Sequence, residues 1–222
     1  MRRSCLLMCA LLSAPAIAKP KLPPCPPKQP QLFIAPMGEP FRAGPDDAYP
    51  VATWFAHADA DRDGRLTRAE LVADAAKFFA TLDTDHDGEI TPGEVIHYEH
   101  DVAPEIRLYS RGPRSGDMHG KKRKRSKDQP AYGAPIGAGR WALVNTPEPV
   151  ISADADFNRG ITLDEFRAAA SERFDAIDTA RAGVLTLAGL PLTPAQAAMT
   201  NCEPQPEDAR PPQDKRPEER RR

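Results

Sequence analysis

Two twelve-residue stretches are the most informative part of this chain: DADRDGRLTRAE at residues 59–70 and DTDHDGEITPGE at residues 83–94. Each has aspartate at its first, third and fifth positions, glycine at its sixth and glutamate at its twelfth. Alternate side chains of a tightly curved loop point inward, so the three aspartates would face one point. Packing them there without a cation would cost several kcal/mol of repulsion and desolvation. The pattern therefore predicts two cation-binding loops.

These stretches, loop 1 and loop 2, resemble the loops of the EF-hand superfamily. In that family the side chains of positions 1, 3, 5 and 9, the carbonyl of position 7 and a bidentate glutamate at position 12 surround one Ca²⁺. The resemblance implies that loop 1 binds through Asp59, Asp61, Asp63, Arg65, Thr67 and Glu70, and loop 2 through Asp83, Asp85, Asp87, Glu89, Thr91 and Glu94.

A third stretch, DADFNRGITLDE at residues 154–165 (loop 3), departs from the pattern at its sixth position. Arg159 replaces glycine there, and a positive φ at that residue would cost about 1 kcal/mol or more. We expect weaker calcium binding than at loops 1 and 2. Two prolines, at positions 147 and 149, leave room for at most one short helical turn before the loop. The implied ligands are Asp154, Asp156, Asn158, Gly160, Thr162 and Glu165.

A fourth stretch, DTARAGVLTLAG at residues 178–189 (loop 4), has lost most of the ligands. Ala180, Ala182 and Gly189 stand at the third, fifth and twelfth positions, so no calcium is expected there. Leu185 keeps the eighth position, where the family forms a short two-stranded contact between paired loops. The sequence therefore predicts that loop 4 survives as a structural partner.

The four loops form an internal repeat, because loops 1 and 2 begin 24 residues apart and so do loops 3 and 4. Only residues 71–82 separate loop 1 from loop 2, so one helix must serve both and hold them about 18 Å apart. Adjacent loops then cannot pair, and we expect pairing between the units. The predicted fold is all-α: an EF-hand helix-loop-helix array of two two-loop units packed as one domain.

The first 18 residues are typical of a secretory signal. Arg2 and Arg3 precede an apolar run, and Ala16-Ile17-Ala18 fits a cleavage site. The apolar run is too short to cross a bilayer. We expect cleavage near Ala18 and a secreted or periplasmic product.

The remaining boundaries follow composition. Residues 19–45 are predicted to be a proline-rich extended segment, and residues 105–145 an insertion rich in glycine, proline, lysine and arginine. EF-hand unit 1 is assigned to 46–104 and unit 2 to 146–200 from the apolar periodicity. Residues 201–222 have almost no apolar side chain and are predicted to be disordered.

Two cysteines would remain after cleavage, Cys25 and Cys202, near the two ends of the chain. In an oxidising compartment a lone pair is more often a disulfide than two free thiols. Two unpaired thiols in the terminal segments are the alternative.

The insertion contains a basic run that is a candidate contact for anionic lipid or another polyanion. The chain has a formal net charge of −2, so three bound Ca²⁺ would make it positive and strengthen that contact. A solvated linker without a partner is the alternative. The residues of the run are Lys121, Lys122, Arg123, Lys124, Arg125 and Lys127.

The sequence contains no nucleophile–base pair and no phosphate-binding loop, so we expect no enzyme. His97 and His100 lie three apart on a predicted helix, but no third zinc ligand accompanies them. Two functional hypotheses remain. The chain is a secreted calcium-binding protein, acting as buffer, sensor or calcium-stabilised fold, or an envelope interaction protein with structural calcium and a basic insertion that binds a polyanion.

Overall fold

The computed structural model describes residues 22–107 and 135–203. The predicted signal, the basic run from Lys121 to Lys127 and the tail from residue 204 onward lie outside these ranges. Within them, no helix is long and apolar enough to cross a membrane.

A β-hairpin precedes the helices and corrects the prediction of an extended segment over residues 19–45. Strand β1 (Gln31–Ile34) pairs antiparallel with β2 (Pro40–Ala43), and most of β1 is buried. In the turn Gly38 has a φ of +106°, and a Cβ there would lie 2.6 Å from the hydroxyl of Tyr98. Only glycine fits this position. The described prolines of the region lie outside the two hairpin strands or at the first residue of β2, where a missing N–H is tolerated.

Five α-helices lie in the described residues and form a helix-loop-helix array. As the spacing predicts, α2 runs from loop 1 to loop 2, and α4 runs from loop 3 to loop 4. Loop 3 is preceded by a single 3₁₀ turn, which agrees with the limit set by the two prolines. The helices are α1 (Val51–Ala58), α2 (Arg68–Leu82), α3 (Pro92–His97), α4 (Leu163–Ile177) and α5 (Pro194–Thr200).

Local hydrogen bonds fix where the helices after the loops begin. The hydroxyls of Thr67 and Thr162 accept a bond from the backbone N–H of Glu70 and Glu165, and the glutamate carboxylates accept one from the threonine N–H. This reciprocal capping box satisfies donors that a helix start would leave unpaired. The ninth and twelfth loop positions are therefore held in place by the sequence around them.

Two short ladders join the loops in pairs, which adds small strands to the predicted all-α fold. Strand β3 (Leu66–Thr67) pairs antiparallel with β6 (Val184–Leu185), so loop 1 lies against loop 4. Strand β4 (Glu89–Ile90) pairs with β5 (Ile161–Thr162), so loop 2 lies against loop 3. Adjacent loops are not paired, because a helix of four turns stands between them.

The prediction of an insertion over residues 105–145 needs correction at both of its described ends. Ile106 is buried at the start, and Ala138 and Ala142 are buried near the end. The backbone N–H of Ile34 donates to the carbonyl of Trp141 at 3.1 Å, so this segment is tied to β1. The small residues Ala138 and Ala142 allow close packing. The glycine and proline content of the segment predicts an insertion instead.

The core consists of two buried clusters, one under each pair of loops. The hairpin contributes to both clusters because consecutive residues of a strand face opposite sides: Phe33 belongs to the first, and Leu32 and Ile34 belong to the second. The first cluster contains Trp54, Phe55, Leu66, Leu71, Phe174, Ile177 and Leu185; the second contains Phe78, Phe79, Ile90, Tyr98, Ile161 and Phe166.

Cys25 and Cys202 form a disulfide, as predicted. The adjoining backbones are also paired: the N–H of Cys25 donates to the carbonyl of Glu203 at 3.0 Å, and the N–H of Glu203 donates to Pro23 at 2.8 Å. The two ends of the described chain are therefore joined, and residues 201–203, which the prediction assigns to the disordered tail, are part of the described structure.

Candidate metal centres

Loop 1 gathers three carboxylates from its first, third and twelfth positions. Asp59, Asp61 and Glu70 offer oxygens within 4.8 Å of one another. The backbone N–H of Asp63 lowers the pKa of Asp61, but desolvation and the charges of Asp63 and Glu70 outweigh it and leave that pKa raised. The like charges therefore repel one another, and a cation among them would remove that repulsion.

One oxygen of this group is buried without a hydrogen bond. Oδ2 of Asp59 accepts from the N–H of Gly64 at 3.0 Å, whereas no described residue donates to Oδ1. The residue is only 6% exposed, so water does not replace the missing donor freely. A buried carboxylate oxygen without a partner is costly. This oxygen fits a metal ligand, which is the role that the EF-hand pattern gives to the first position.

Loop 2 repeats the arrangement with more hydrogen bonds. Asp83, Asp85 and Glu94 offer oxygens within 4.8 Å of one another. Oε1 of Glu94 accepts from the N–H of Thr84 at 2.6 Å, and Oε2 accepts from the N–H of Thr91 at 2.8 Å. Burial alone would raise the pKa of Glu94, but these N–H groups and the two threonine hydroxyls lower it to about 2. The glutamate is therefore held ionised and oriented.

Loop 3 has the same triad despite its altered sixth position. Asp154, Asp156 and Glu165 offer oxygens within 4.8 Å of one another, and Oδ1 of Asp154 is another buried atom to which no described residue donates. Arg159 has a φ of +79°, so the predicted left-handed strain is present. The backbone N–H of Arg159 still donates to Oδ2 of Asp154 at 3.0 Å. In loop 1 the N–H of Gly64 makes the same bond to Asp59. The substitution therefore leaves the loop conformation intact.

The fifth, seventh and ninth positions support the triads through hydrogen bonds. The fifth residue accepts from the N–H of the seventh: Asp63 from Arg65 at 2.7 Å, and Asn158 from Gly160 at 2.7 Å. Asp87 accepts from Glu89 at 2.9 Å in the same way. The hydroxyls of Thr67, Thr91 and Thr162 donate to the loop's own glutamate. Because the ninth position often reaches the ion through water, this arrangement suits an EF-hand loop.

Loop 4 keeps the backbone shape without the ligands. Both oxygens of Asp178 are used within the loop, since Oδ1 accepts from the N–H of Ala182 at 2.9 Å and Oδ2 from Gly183 at 2.7 Å. Gly183 has a φ of +73°, close to the +80° of Gly64 in loop 1. Among the described residues, no triad of metal-binding side chains forms in this loop.

Loops 2 and 3 are in close contact at their ladder. Glu89 faces Thr162 in the register, and a Cβ built on Gly160 would lie 1.2 Å from Oε1 of Glu89. The glycine therefore makes room for a side chain of the neighbouring loop. Sequence reasoning selected Gly160 for its carbonyl only, and it missed Thr84, whose hydroxyl donates to Glu94 at 2.9 Å.

Comparison with known proteins agrees with this geometry over the first two loops. A family model described as EF hand matches residues 51–73, and it matches a second time over residues 75–96. No curated protein and no solved structure matches the chain.

Proposed function

Because the chain belongs to the EF-hand superfamily, we propose that it is an exported protein that binds three calcium ions, in loops 1, 2 and 3, to stabilise its fold. The observation that carries the proposal is the buried Oδ1 of Asp59, which accepts no hydrogen bond from any described residue. Calcium would supply the positive charge that this oxygen and the other carboxylates of its triad lack.

The chain's own residues determine how each loop would hold its ion. The side chains of the first and third positions face the carboxylate of the twelfth. The threonine at the ninth position and the backbone at the second position keep that carboxylate in place. These bonds come from the loop's own residues, so each loop orients its glutamate toward the carboxylates of the first and third positions. Loop 4 lacks the triad and has a supporting role.

A structural role for calcium is favoured over a sensor role. Sensor EF-hands expose a methionine-rich groove when calcium binds, whereas Met37 is buried here and Met199 lies in α5, which follows the last loop in the chain. Six aromatic side chains belong to the core and are at most 5% exposed: Trp54, Phe55, Phe78, Phe79, Phe166 and Phe174.

The disulfide supports export, and contacts between the two units support a single domain. The disulfide between Cys25 and Cys202 suits an oxidising compartment, in agreement with the predicted signal. Pairing of loop 1 with loop 4 and of loop 2 with loop 3 links the two units through both ladders. Arg68 of α2 also forms an ion pair with Asp175 of α4.

The test is calorimetric calcium titration of residues 19–222 after metal removal, with circular dichroism at each end point. We expect three binding events in the parent chain. Glu70→Gln, Glu94→Gln and Glu165→Gln should each lose one event, because each removes one charged ligand. Asp164→Asn is the matched control, since its carboxylate is adjacent to Glu165 but 95% exposed.

A parent chain that takes up no calcium would refute the proposal. Equal loss in Asp164→Asn and Glu165→Gln would also refute it, because binding would then follow total charge and not the loop geometry. Calcium that binds and exposes an apolar surface, detected by a fluorescent dye, would replace the structural role with a sensor role.

The second hypothesis from the sequence, contact with anionic lipid or another polyanion through Lys121 to Lys127, stays a prediction. Deletion of residues 120–128 tests it by sedimentation with anionic vesicles in calcium. Vesicle binding that persists after the deletion would contradict a role for the basic run.

A further inference from the structure

A fourth group of potential metal ligands lies outside all four loops. Glu39 from the hairpin, His57 from α1 and Asp74 from α2 offer ligand atoms within 4.8 Å of one another. The three residues are far apart in sequence and belong to three different elements. The fold alone brings them together.

Asp74 is the buried member of this group. The residue is 5% exposed, and its Oδ2 accepts from the indole N–H of Trp54 at 3.3 Å. Its Oδ1 is also buried, and no described residue donates a hydrogen bond to it. Nδ1 of His57 lies 3.0 Å from Oδ1, but without the geometry of a hydrogen bond. The buried oxygen therefore has the imidazole of His57 as a close neighbour and accepts no well-formed hydrogen bond from a described residue.

The charges of the group favour a cation. Burial raises the pKa of Asp74, and the charges of His57 and Lys77 offset this only in part. Burial likewise raises the pKa of Glu39, and the nearby charge of Asp74 raises it further. The charge of Asp74 therefore disfavours the ionised form of Glu39, and a divalent ion between the two carboxylates would reverse that effect.

We propose that Glu39, His57 and Asp74 form a binding site for a divalent transition metal ion, with Zn²⁺ as its representative. An imidazole nitrogen with two carboxylate oxygens suits zinc, whereas calcium and magnesium prefer oxygen ligands alone. Tetrahedral ligands around zinc lie about 3.4 Å apart. The 3.0 Å between Nδ1 of His57 and Oδ1 of Asp74 is close to this spacing, and the half-buried Glu39 offers its oxygen within 4.8 Å of both. Water would take the fourth position.

The surroundings orient two of the three ligands. The indole of Trp54 holds Asp74 through its second oxygen, and the ring of Phe41 from β2 lies 6.0 Å from the ring of His57. Outer partners of this kind fix the direction of metal ligands. A bound ion would join the hairpin to both helices that flank loop 1, and His57 stands two residues before Asp59. A bound zinc ion would therefore stabilise loop 1 through residues that lie outside the loop.

The experiment is a zinc titration of residues 19–222 in a large excess of calcium, which keeps the loops occupied. We expect one zinc ion per chain, and Co²⁺ in its place should give the visible spectrum of a tetrahedral site with nitrogen and oxygen ligands. His57→Gln and Glu39→Gln should each weaken zinc binding at least ~10-fold, because even outer partners of a metal contribute that much.

His97→Gln is the matched control. His97 also lies beside an aspartate, Asp101, at 2.8 Å, but there the pair makes a hydrogen bond and both side chains are mostly exposed. We expect this variant to bind zinc as the parent does. Circular dichroism of each variant in calcium checks that the fold is kept.

Three results would overturn the proposal: no zinc uptake in excess calcium, parent-like affinity in both His57→Gln and Glu39→Gln, or loss of zinc in His97→Gln. The first two would leave His57 and Asp74 as a structural ion pair, and the third would move the site to α3. The variants change no loop ligand, so the calcium proposal is tested separately by its own titration.

Discussion

Leu66 of loop 1 lies opposite Leu185 of loop 4 in a two-residue antiparallel ladder. The two side chains are 0% and 6% exposed and belong to one buried cluster. A loop that carries no metal ligands at its third, fifth and twelfth positions thus packs directly behind one that carries all of them. The degenerate loop supports its partner through apolar contact.

Leu185→Ala should therefore weaken calcium binding at loop 1 although it removes no ligand. We expect a loss of about 2–5 kcal/mol of unfolding free energy, as for other buried leucines, and a larger drop in affinity at loop 1 than at loops 2 and 3. Urea unfolding and calorimetry measure the two effects. Leu187→Ala, at a 42% exposed position of the same loop, should change neither. Equal weakening of all three sites would contradict the local coupling.

Arg159→Gly should stabilise the protein, because glycine adopts the φ of +79° without the clash of a Cβ. We expect a gain of about 1 kcal/mol over Arg159→Ala, which keeps the Cβ but removes the same side chain. Thermal unfolding in calcium compares the two. Calcium affinity at loop 3 should be equal in both variants, since both lose one positive charge. A gain of the same size in Arg159→Ala would assign the effect to charge and not to strain.

Reduction of the disulfide should destabilise the fold without removing the calcium sites. The bond joins residues separated by 177 positions, and in the chain-entropy model a loop of that length contributes about 5 kcal/mol. We expect a lower unfolding temperature in reductant and unchanged calcium stoichiometry. The Cys25→Ser/Cys202→Ser double variant should show the lower temperature and no further response to reductant. A reductant effect in that variant would point to another cause.

Glu148 should make the protein less stable as the pH rises towards 7. Its burial, followed by the charge of Glu99, raises its pKa to about 7, and no described residue donates to its Oε1. The folded protein therefore keeps a proton that the unfolded chain loses above pH 4.5. The free energy of unfolding therefore falls by on the order of 3 kcal/mol as the pH rises from 4.5 to about 7. The charge of the neighbouring Arg173 lowers the pKa of Glu148, but less than the other causes. The guanidinium of Arg173 donates to the carbonyl of Pro149 at 2.7 Å.

The measurement is the free energy of unfolding against pH, in chelator, for Glu148→Gln and the parent. The difference between them should be constant below pH 4.5 and grow in favour of the variant up to about pH 7. Glu99→Gln should reduce the dependence in part, because it removes the second cause of the raised pKa. Parallel curves for Glu148→Gln and the parent over this range would show that Glu148 does not titrate there.

Much of the candidate site was accessible from sequence because it is local. A loop of twelve residues contains its own ligands, and the threonine three positions before each glutamate caps the helix that follows. The length of α2 also excluded pairing of adjacent loops. The prediction of an extended segment was wrong over the hairpin, because prolines flank its short buried strands and indicated a segment without a sheet. The prediction of an insertion was wrong near Ala138, whose burial depends on contacts with β1 and the residues around Pro147.

The loops, the shared helices and the unusual residue at Arg159 follow from the sequence, since each depends on neighbours within about one helical turn or one loop. Three features depend on tertiary packing: loop 1 pairs with loop 4, the hairpin supplies residues to both core clusters, and Glu39, His57 and Asp74 meet. These contacts join residues far apart in the chain, and their formation depends on the packing of whole elements and not on local preference.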